Sequence, residues 1–354
     1  MQSKLRIGVL GCGPISQAAH FESCTKAINA ELYAICDSAD DLRQRMTAMW
    51  APQVAYSDYQ LMLNDENVDA VIIATTDAFH VQLALMALEA GKHVLCEKPL
   101  GIAVEECEAL AEAVKRSGRL FQVAHMKRFD GGIQAAHDFI QQEMGDVVAY
   151  KGWYCDNSHR YTVTDAVQPK IITSAAKRKP SVDPKSDLQR YYMLAHGSHL
   201  VDTARYLAGE IKEVEARFIH RGGVHSWFIN VAFANGTLGH LDLSVGVRMD
   251  WHEGFQIYGE NGSVLGKTYN PWLFKSSDVD IFHENGAFWR RPLAADGHFY
   301  RRQIEAFAHA ILSNSSQTGT TVEEGLAIVK TMAAIGESVR TGKAVSVATA
   351  QGAV

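Results

Sequence analysis

Two stretches of this chain carry residue types at spacings that can do chemistry, and a third follows later. Gly8-Val9-Leu10-Gly11-Cys12-Gly13-Pro14-Ile15-Ser16 lies where a short apolar run meets a helical pattern. Gly11 allows a tight turn, and Gly13 lets the backbone approach a pyrophosphate that a helix N-terminus then stabilises. Pro14 and Ile15 open that helix, and Ser16 fills the small position that close strand–helix packing needs. Asp37 ends the second apolar run, 24 residues beyond Gly13, with Ser38 after it. A carboxylate there accepts hydrogen bonds from ribose hydroxyls and repels a 2′-phosphate, so the expected cofactor is NAD in preference to NADP. Arg43 and Arg45 keep NADP in view, since either side chain has the length to reach a phosphate. The third stretch is helical and carries His196, His199 and Asp202 at i, i+3 and i+6. A metal centre there lacks a fourth ligand or a water position, so no metal is expected.

Strands and helices must hold these residues in place. Leu5–Leu10, Glu31–Cys36, Val71–Ala74, His93–Cys96 and Leu120–Ala124 read as strands. Helical patterns separate them at Ile15 to Asn29, Asp40 to Trp50, Val81–Leu88 and Val104 to Arg116. Alternation of this kind implies a parallel, doubly wound Rossmann sheet with right-handed crossovers. After Arg128 the pattern changes. A helix from Gly132 to Met144 leads into Val147–Tyr154, then a long polar stretch from Cys155 to Arg190, then a helix from Ala195 to Ala208. Period-two runs follow at Ile211–His220, Trp227–Phe233, Thr237–Val245 and Gly254–Tyr258, divided by turn signals such as Asn235-Gly236. Helices over Phe299–Ser313 and Val322–Arg340 complete the chain. The expected fold class is α/β: a Rossmann domain over residues 1–125, and over 126–354 an α/β domain with a large, mostly antiparallel open sheet.

Composition excludes more than it assigns. The 354 residues are too many for one hydrophobic core, which seldom grows past roughly 250–300 residues. A net charge of −6 argues against a nucleic-acid partner, which calls for a basic excess. No apolar run approaches the roughly 18–20 residues that cross a bilayer. The six cysteines form no CxxC pair, so reduced thiols and a cytoplasmic location are expected.

Further segments resemble the Gfo/Idh/MocA oxidoreductase family. They are Ala74-Thr75-Thr76-Asp77-Ala78-Phe79-His80; Gly91-Lys92-His93-Val94-Leu95-Cys96-Glu97-Lys98-Pro99; Val123 to Phe129, with its Arg128-Phe129; Gly197-Ser198-His199-Leu200-Val201-Asp202; and Thr321 to Lys343. The resemblance runs nearly the whole chain, in order. It implies an N-terminal dinucleotide domain and a C-terminal domain for substrate and subunit contacts. The function implied is hydride transfer between NAD(P) and a hydroxyl or carbonyl carbon of a sugar, glycoside or cyclitol. By the same analogy Lys98 touches cofactor and substrate, and His199 faces the reacting hydroxyl. Thr75, Thr76, His80, Glu97 and Arg128 line the cofactor site. The implied partners are a sugar or polyol substrate and further copies of the chain, as a dimer or tetramer built through the C-terminal sheet.

Oxidising a secondary alcohol needs a base for the hydroxyl proton and a cation or donor for the developing oxygen charge. An imidazole, with an ordinary pKa of about 6.5, suits the first role at His199, and Lys98 suits the second. A buried Lys near an oxidised nicotinamide has a lowered pKa and can serve as base itself. The chain departs from the resemblance at Ala195, where the family commonly places an Asp four residues before the His. His196 is a candidate substrate contact, and Asp183 or Asp187 are candidate replacements for the missing carboxylate. Lys98 is expected to take more of the acid–base work in consequence.

The irregular stretch from Cys155 to Arg190 suits a lid or binding segment. Its cations, Lys177, Arg178, Lys179, Lys185 and Arg190, suit an anionic group or a surface. Trp153, Tyr154, His159, Tyr191 and Tyr192 offer rings for a sugar face, with Tyr154 taken as a substrate contact. Two other readings share the cofactor: a redox-neutral glycosidase or lyase that keeps NAD bound, and a non-catalytic NAD-binding sensor.

Overall fold

The computed structural model describes residues 4–157, 170–176, 178–294 and 296–354. His159 and Lys177 lie outside them. The chain forms two compact units that are not contiguous in sequence. The first takes in residues 1–125, 168–186 and 300–326, and the second residues 126–167, 187–299 and 327–354.

The first unit is built on six parallel strands: β1 (Leu5–Leu10), β2 (Ala30–Cys36), β3 (Val54–Tyr56), β4 (Ala70–Ile73), β5 (His93–Cys96) and β6 (Phe121–Val123). Their order is β3-β2-β1-β4-β5-β6. Strand order reverses between β1 and β4, and the carboxyl ends of strands at such a switch point form a ligand crevice in open α/β sheets. β1 and β4 are buried along nearly their whole length, which explains their continuous apolar sequence. The intervening helices are α1 (Phe21–Lys26), α2 (Asp40–Trp50), α3 (Tyr59–Leu63), α4 (His80–Glu89) and α5 (Val104–Ser117). A π-helical turn, Ser16–His20, precedes α1, so the expected single helix from Ile15 to Asn29 is wider at its start and shorter at its end. The later segments dock by specific bonds. The Gln17 side chain donates to the Ile172 carbonyl and accepts from its N–H, both at 2.9 Å. Ser174 Oγ donates to Asp41. Ile304, Phe307 and Ala308 of the helix Phe299–Leu312 enter the same core as Leu5, Ile7 and Ile35.

The second unit holds a nine-stranded sheet. Its strands are β7 (Val147–Asn157), β8 (Ile211–Arg221), β9 (Val224–Phe233), β10 (Leu238–Val247), β11 (His252–Gly259), β12 (Gly262–Thr268), β13 (Asp278–His283), β14 (Phe288–Arg290) and β15 (Val345–Ser346). The order is β14-β13-β12-β11-β7-β10-β9-β8-β15, with only β7 and β10 parallel. This is the mostly antiparallel sheet expected, with β12 to β15 in addition. α6 (Gly131–Gln142), α7 (Leu188–Tyr192) and α8 (Ser198–Ala208) belong to this unit, and a second π-helical turn, Met193–Gly197, joins α7 to α8. The two π turns contain His20 and His196, and π-bulges often mark functional sites. No helix among the described residues is long and apolar enough to cross a membrane.

Candidate active site

At the switch point Gly11 has φ +96°, and a Cβ there would lie 2.5 Å from the Ala74 carbonyl oxygen. The loop therefore passes β4 at a distance only glycine permits. A Cβ on Gly13 would meet nothing within 4 Å among the described residues, so they leave the loop open on that side. Ser16 Oγ donates back to the Gly11 carbonyl and fixes the turn. Pro14 is exposed and Ile15 partly so, at the mouth of the helical turn.

Asp37 follows β2 and does structural work as well. Its two carboxylate oxygens accept from the Cys12 N–H and the Ala39 N–H, each at 2.8 Å. The acidic residue is thus tied directly to the phosphate loop, with Ser38 exposed beside it. Arg43 donates to the Asp37 carbonyl and pairs with Asp40. It is held against the end of β2, whereas Arg45 is exposed on α2.

After β4, Thr75 and Thr76 are half-buried, and Thr75 Oγ1 is buried with no hydrogen-bond partner among the described residues. An orphaned hydroxyl is costly unless a ligand completes it. His80 is fully buried, with Nδ1 at 2.8 Å from the Pro99 carbonyl and Nε2 at 3.3 Å from that of Thr75. It braces the Glu97-Lys98-Pro99 turn against the Thr75 strand end. The Lys98–Pro99 peptide is cis. Glu97, 6% exposed, pairs with His20 Nε2 at 2.8 Å and accepts from the Lys98 backbone N–H at 3.1 Å. Burial raises its pKa, but the His20 hydrogen bond and the charges of His20, Lys98 and His80 outweigh burial, and the net direction is downward. Tyr300 stands edge-on to His20, with ring centroids 6.4 Å apart. His20 and Tyr300 escaped the sequence reading, because only the folded chain brings them to Glu97. Lys98 itself is half-buried just beyond the carboxyl end of β5.

A cavity of about 740 Å³, lined by Lys4, Arg6, Lys92 and Arg119 among others, opens at the amino ends of the same strands. Ligands of this sheet type bind at the carboxyl ends, so the cavity is not the candidate site.

In the second unit, the polar cluster is built on one face of β7. The Tyr154 ring lies parallel to that of His199, with centroids 6.1 Å apart, and 5.5 Å from that of His196. Trp251 packs edge-on to it at 5.1 Å. Lys127 Nζ stands 4.5 Å over the Tyr154 ring and pairs with Glu253, the cross-strand neighbour of Tyr154. Burial pushes the Glu253 carboxyl upward against the opposing pull of Lys127. His199 is buried and His196 partly exposed.

The remaining candidate residues make contacts of their own. Arg128, expected at the cofactor, is 5% exposed and bonds Asp202 through Nε and Nη2, at 3.0 and 2.8 Å. Its guanidinium also lies over Tyr206, so it anchors α8. Asp202 thereby belongs to Arg128. Asp187 caps α7 through the Arg190 N–H, and Asp183 accepts from the Lys185 N–H in an exposed turn. A carboxylate that does approach His196 is Asp156, with Oδ2 3.6 Å from His196 Nδ1. Of the basic stretch, Arg178 lies over the Phe79 ring and Arg190 donates to the Val354 carbonyl. Trp153 points to the other face of the sheet, stacked on His252. Tyr192 packs against His196 and His225.

A six-stranded parallel sheet with a glycine loop at its switch point, an acidic residue closing β2 and a lysine closing β5 define a dinucleotide-dependent enzyme. Comparison with known proteins fixes the class. Residues 5–125 match the model of the oxidoreductase family with NAD-binding Rossmann fold, and residues 133–265 match the Gfo/Idh/MocA C-terminal domain. Inositol 2-dehydrogenase 2 of Saccharopolyspora erythraea is 30% identical over 96% of this chain and 94% of its own. Myo-inositol 2-dehydrogenase of Thermotoga maritima is 26% identical over 74% of this chain and 75% of its own. Among solved structures, levoglucosan dehydrogenase in complex with NADH and L-sorbose superposes with a TM-score of 0.79 at 21% identity, covering 98% and 99% of the two chains. The chain belongs to the Gfo/Idh/MocA family of oxidoreductases, and its cofactor is NAD. The open loop at Gly13 and the orphaned Thr75 hydroxyl fit that cofactor.

Proposed function

We propose that this enzyme transfers hydride between NAD and a hydroxyl or carbonyl carbon of a sugar, glycoside or cyclitol, with Lys98 and His199 as its catalytic residues. The observation that supports this reading best is the cluster around Tyr154. Two imidazoles, an indole and a phenol converge there with a buried ammonium–carboxylate pair. Rings for the apolar face of a polyol and polar groups for its hydroxyls are what such a substrate requires. The relatives named for inositol dehydrogenation agree with it.

In this reading Gly11, Gly13, Pro14, Ile15, Asp37, Ser38, Thr75, Thr76 and Glu97 hold the cofactor, and His80 positions the Lys98 turn. Bound NAD supplies the hydride acceptor. Lys98 stabilises the negative charge that develops on the substrate oxygen, and His199 faces the reacting hydroxyl. Tyr154 and His196 complete the substrate contacts. The first unit serves the dinucleotide and the second the substrate. Ile219, Phe228, Leu238 and Tyr258 project, exposed, from one face of the large sheet, which suits a homo-oligomer, dimer or tetramer, built through that face. Six buried free thiols are in keeping with a cytoplasmic enzyme.

The test is a panel of inositols, hexoses and glycosides with NAD and with NADP, read at the reduced-nicotinamide absorbance. A stoichiometric rise with product is expected. Product without absorbance change would replace the dehydrogenase by a redox-neutral lyase or glycosidase, and tight NAD binding with no turnover would replace it by a sensor. A sharper expectation concerns Asp37→Ala. The carboxylate both meets the ribose and tethers Cys12, and a charged hydrogen bond contributes about 1.5–3 kcal/mol. The KM for NAD is therefore expected to rise about 10- to 100-fold, with a smaller preference over NADP. An unchanged ratio of the two cofactors in initial-rate measurements would remove Asp37 from cofactor selection.

A further inference from the structure

Position 195 is alanine, yet the helix turn that carries it brings a carboxylate to an imidazole by another route. Tyr154 and Asp156 are two residues apart on β7, so their side chains leave the same face of the sheet. His196 sits in the π turn Met193–Gly197 directly over them. Its Nδ1 is 3.4 Å from the Tyr154 hydroxyl and 3.6 Å from Asp156 Oδ2. Both contacts converge on the same nitrogen. A carboxylate at Nδ1 favours the tautomer protonated there and makes Nε2 the basic nitrogen, and catalytic contacts of this length in a ligand-free enzyme commonly tighten once substrate binds.

We propose that Asp156 is the positioning carboxylate of this enzyme, and that the imidazole it orients, His196, accepts the substrate's proton. The proposal rests on the dehydrogenase reading above. The step balances simply: the hydroxyl O–H breaks and its proton goes to His196 Nε2. The freed pair forms the carbonyl as the C–H bond departs with its electrons to NAD. Asp156 then faces an imidazolium and stabilises it. His199, parallel to the Tyr154 ring, orients the hydroxyl.

The charged and titratable groups around His196 come from several elements. Asp156 and Tyr154 belong to β7, Tyr192 to α7, and His199 to α8. Behind Tyr154 stands the Lys127–Glu253 pair, and behind Tyr192 stands His225. Asp156 alone among them brings an anion to Nδ1 at ion-pair distance in the described contacts.

Asp156→Asn tests the assignment. Loss of the carboxylate lowers the basicity of His196, so the acid limb of the kcat profile moves to lower pH. kcat itself falls at least tenfold, with the substrate KM within threefold of wild type. NMR titration of the His196 ring in cofactor-free protein reads the couple without turnover, and its midpoint falls in the variant. Asp156→Glu restores most of kcat, and Asp156→Asn adds nothing to a His196→Gln enzyme. Asp156→Ser provides the same test if the amide variant fails to fold. An unmoved His196 midpoint, or additive effects in the double variant, overturns the proposal. Absence of turnover by the wild type on every polyol would instead defeat the dehydrogenase reading, with the titration still deciding the Asp156–His196 couple.

Discussion

Lys98→Ala is expected to lower kcat/KM for the alcohol by about 10³-fold or more, with NAD affinity within a few-fold of wild type. The size follows from its role. Removing one group that stabilises a developing oxyanion costs on the order of 10²–10³ in rate, and loss of the contact that orients the alcohol adds to that. The selectivity follows from how the turn is held. Glu97 bonds the Lys98 backbone N–H, and His80 bonds the carbonyls of Pro99 and Thr75. None of these bonds uses the Lys98 side chain, so its truncation leaves the strand end and the phosphate loop in place. Lys98→Arg is expected to rescue poorly, because a planar fork does not occupy the place of a compact ammonium. Steady-state kinetics with NAD binding followed by fluorescence decides the matter. A Lys98→Ala enzyme within tenfold of wild type would show that the charge on the oxygen is stabilised elsewhere.

What the sequence made legible is what is local in it. The glycine loop, the acidic end of β2 and the Glu-Lys-Pro turn each lie within a few residues, and each sits at a strand end as expected. Pairs made by folding were hidden. His20 meets Glu97 from 77 residues away, and nothing in the helix pattern around His20 distinguishes it from a packing residue. The docking of residues 170–176 onto Gln17 is equally invisible, since it uses backbone groups that every residue possesses. Strand β12 was unreadable for a different reason. Its Gly262 and Gly266 look like turn signals, yet a Cβ on Gly266 would lie 2.3 Å from the Phe255 ring, so glycine is there to admit an aromatic neighbour. Asp156 was lost through a boundary. The apolar pattern of β7 ends at Tyr154, whereas the strand continues to Asn157 because β10 still pairs with it there. Two more residues of strand carry the carboxylate to the imidazole.

The other large effect is on stability. His20→Ala is expected to lower the unfolding free energy at pH 7 by about 3–5 kcal/mol, the usual cost of removing one partner from a buried pair. Glu97 and His20 are 8% and 1% exposed at their side chains, so water does not replace the lost contact. The dependence on pH identifies the cause. In the wild type the Glu97 pKa lies below its ordinary value, which in an unfolded chain is about 4.3. The stabilisation it supplies is therefore complete above that unfolded value and is lost as pH falls through the folded one. In His20→Ala the same carboxylate keeps its burial and loses its partner, so it takes up a proton more readily. The gap between the two proteins should accordingly be widest near neutrality and narrow in acid. Glu97→Gln removes the charge that makes the orphan costly, so His20→Ala should destabilise that background much less. Urea denaturation of the four proteins at pH 7 and in mild acid measures the cycle. A gap independent of both pH and Glu97→Gln would assign the loss to the cavity left by the imidazole, and the ion pair would then be incidental to the Lys98 turn.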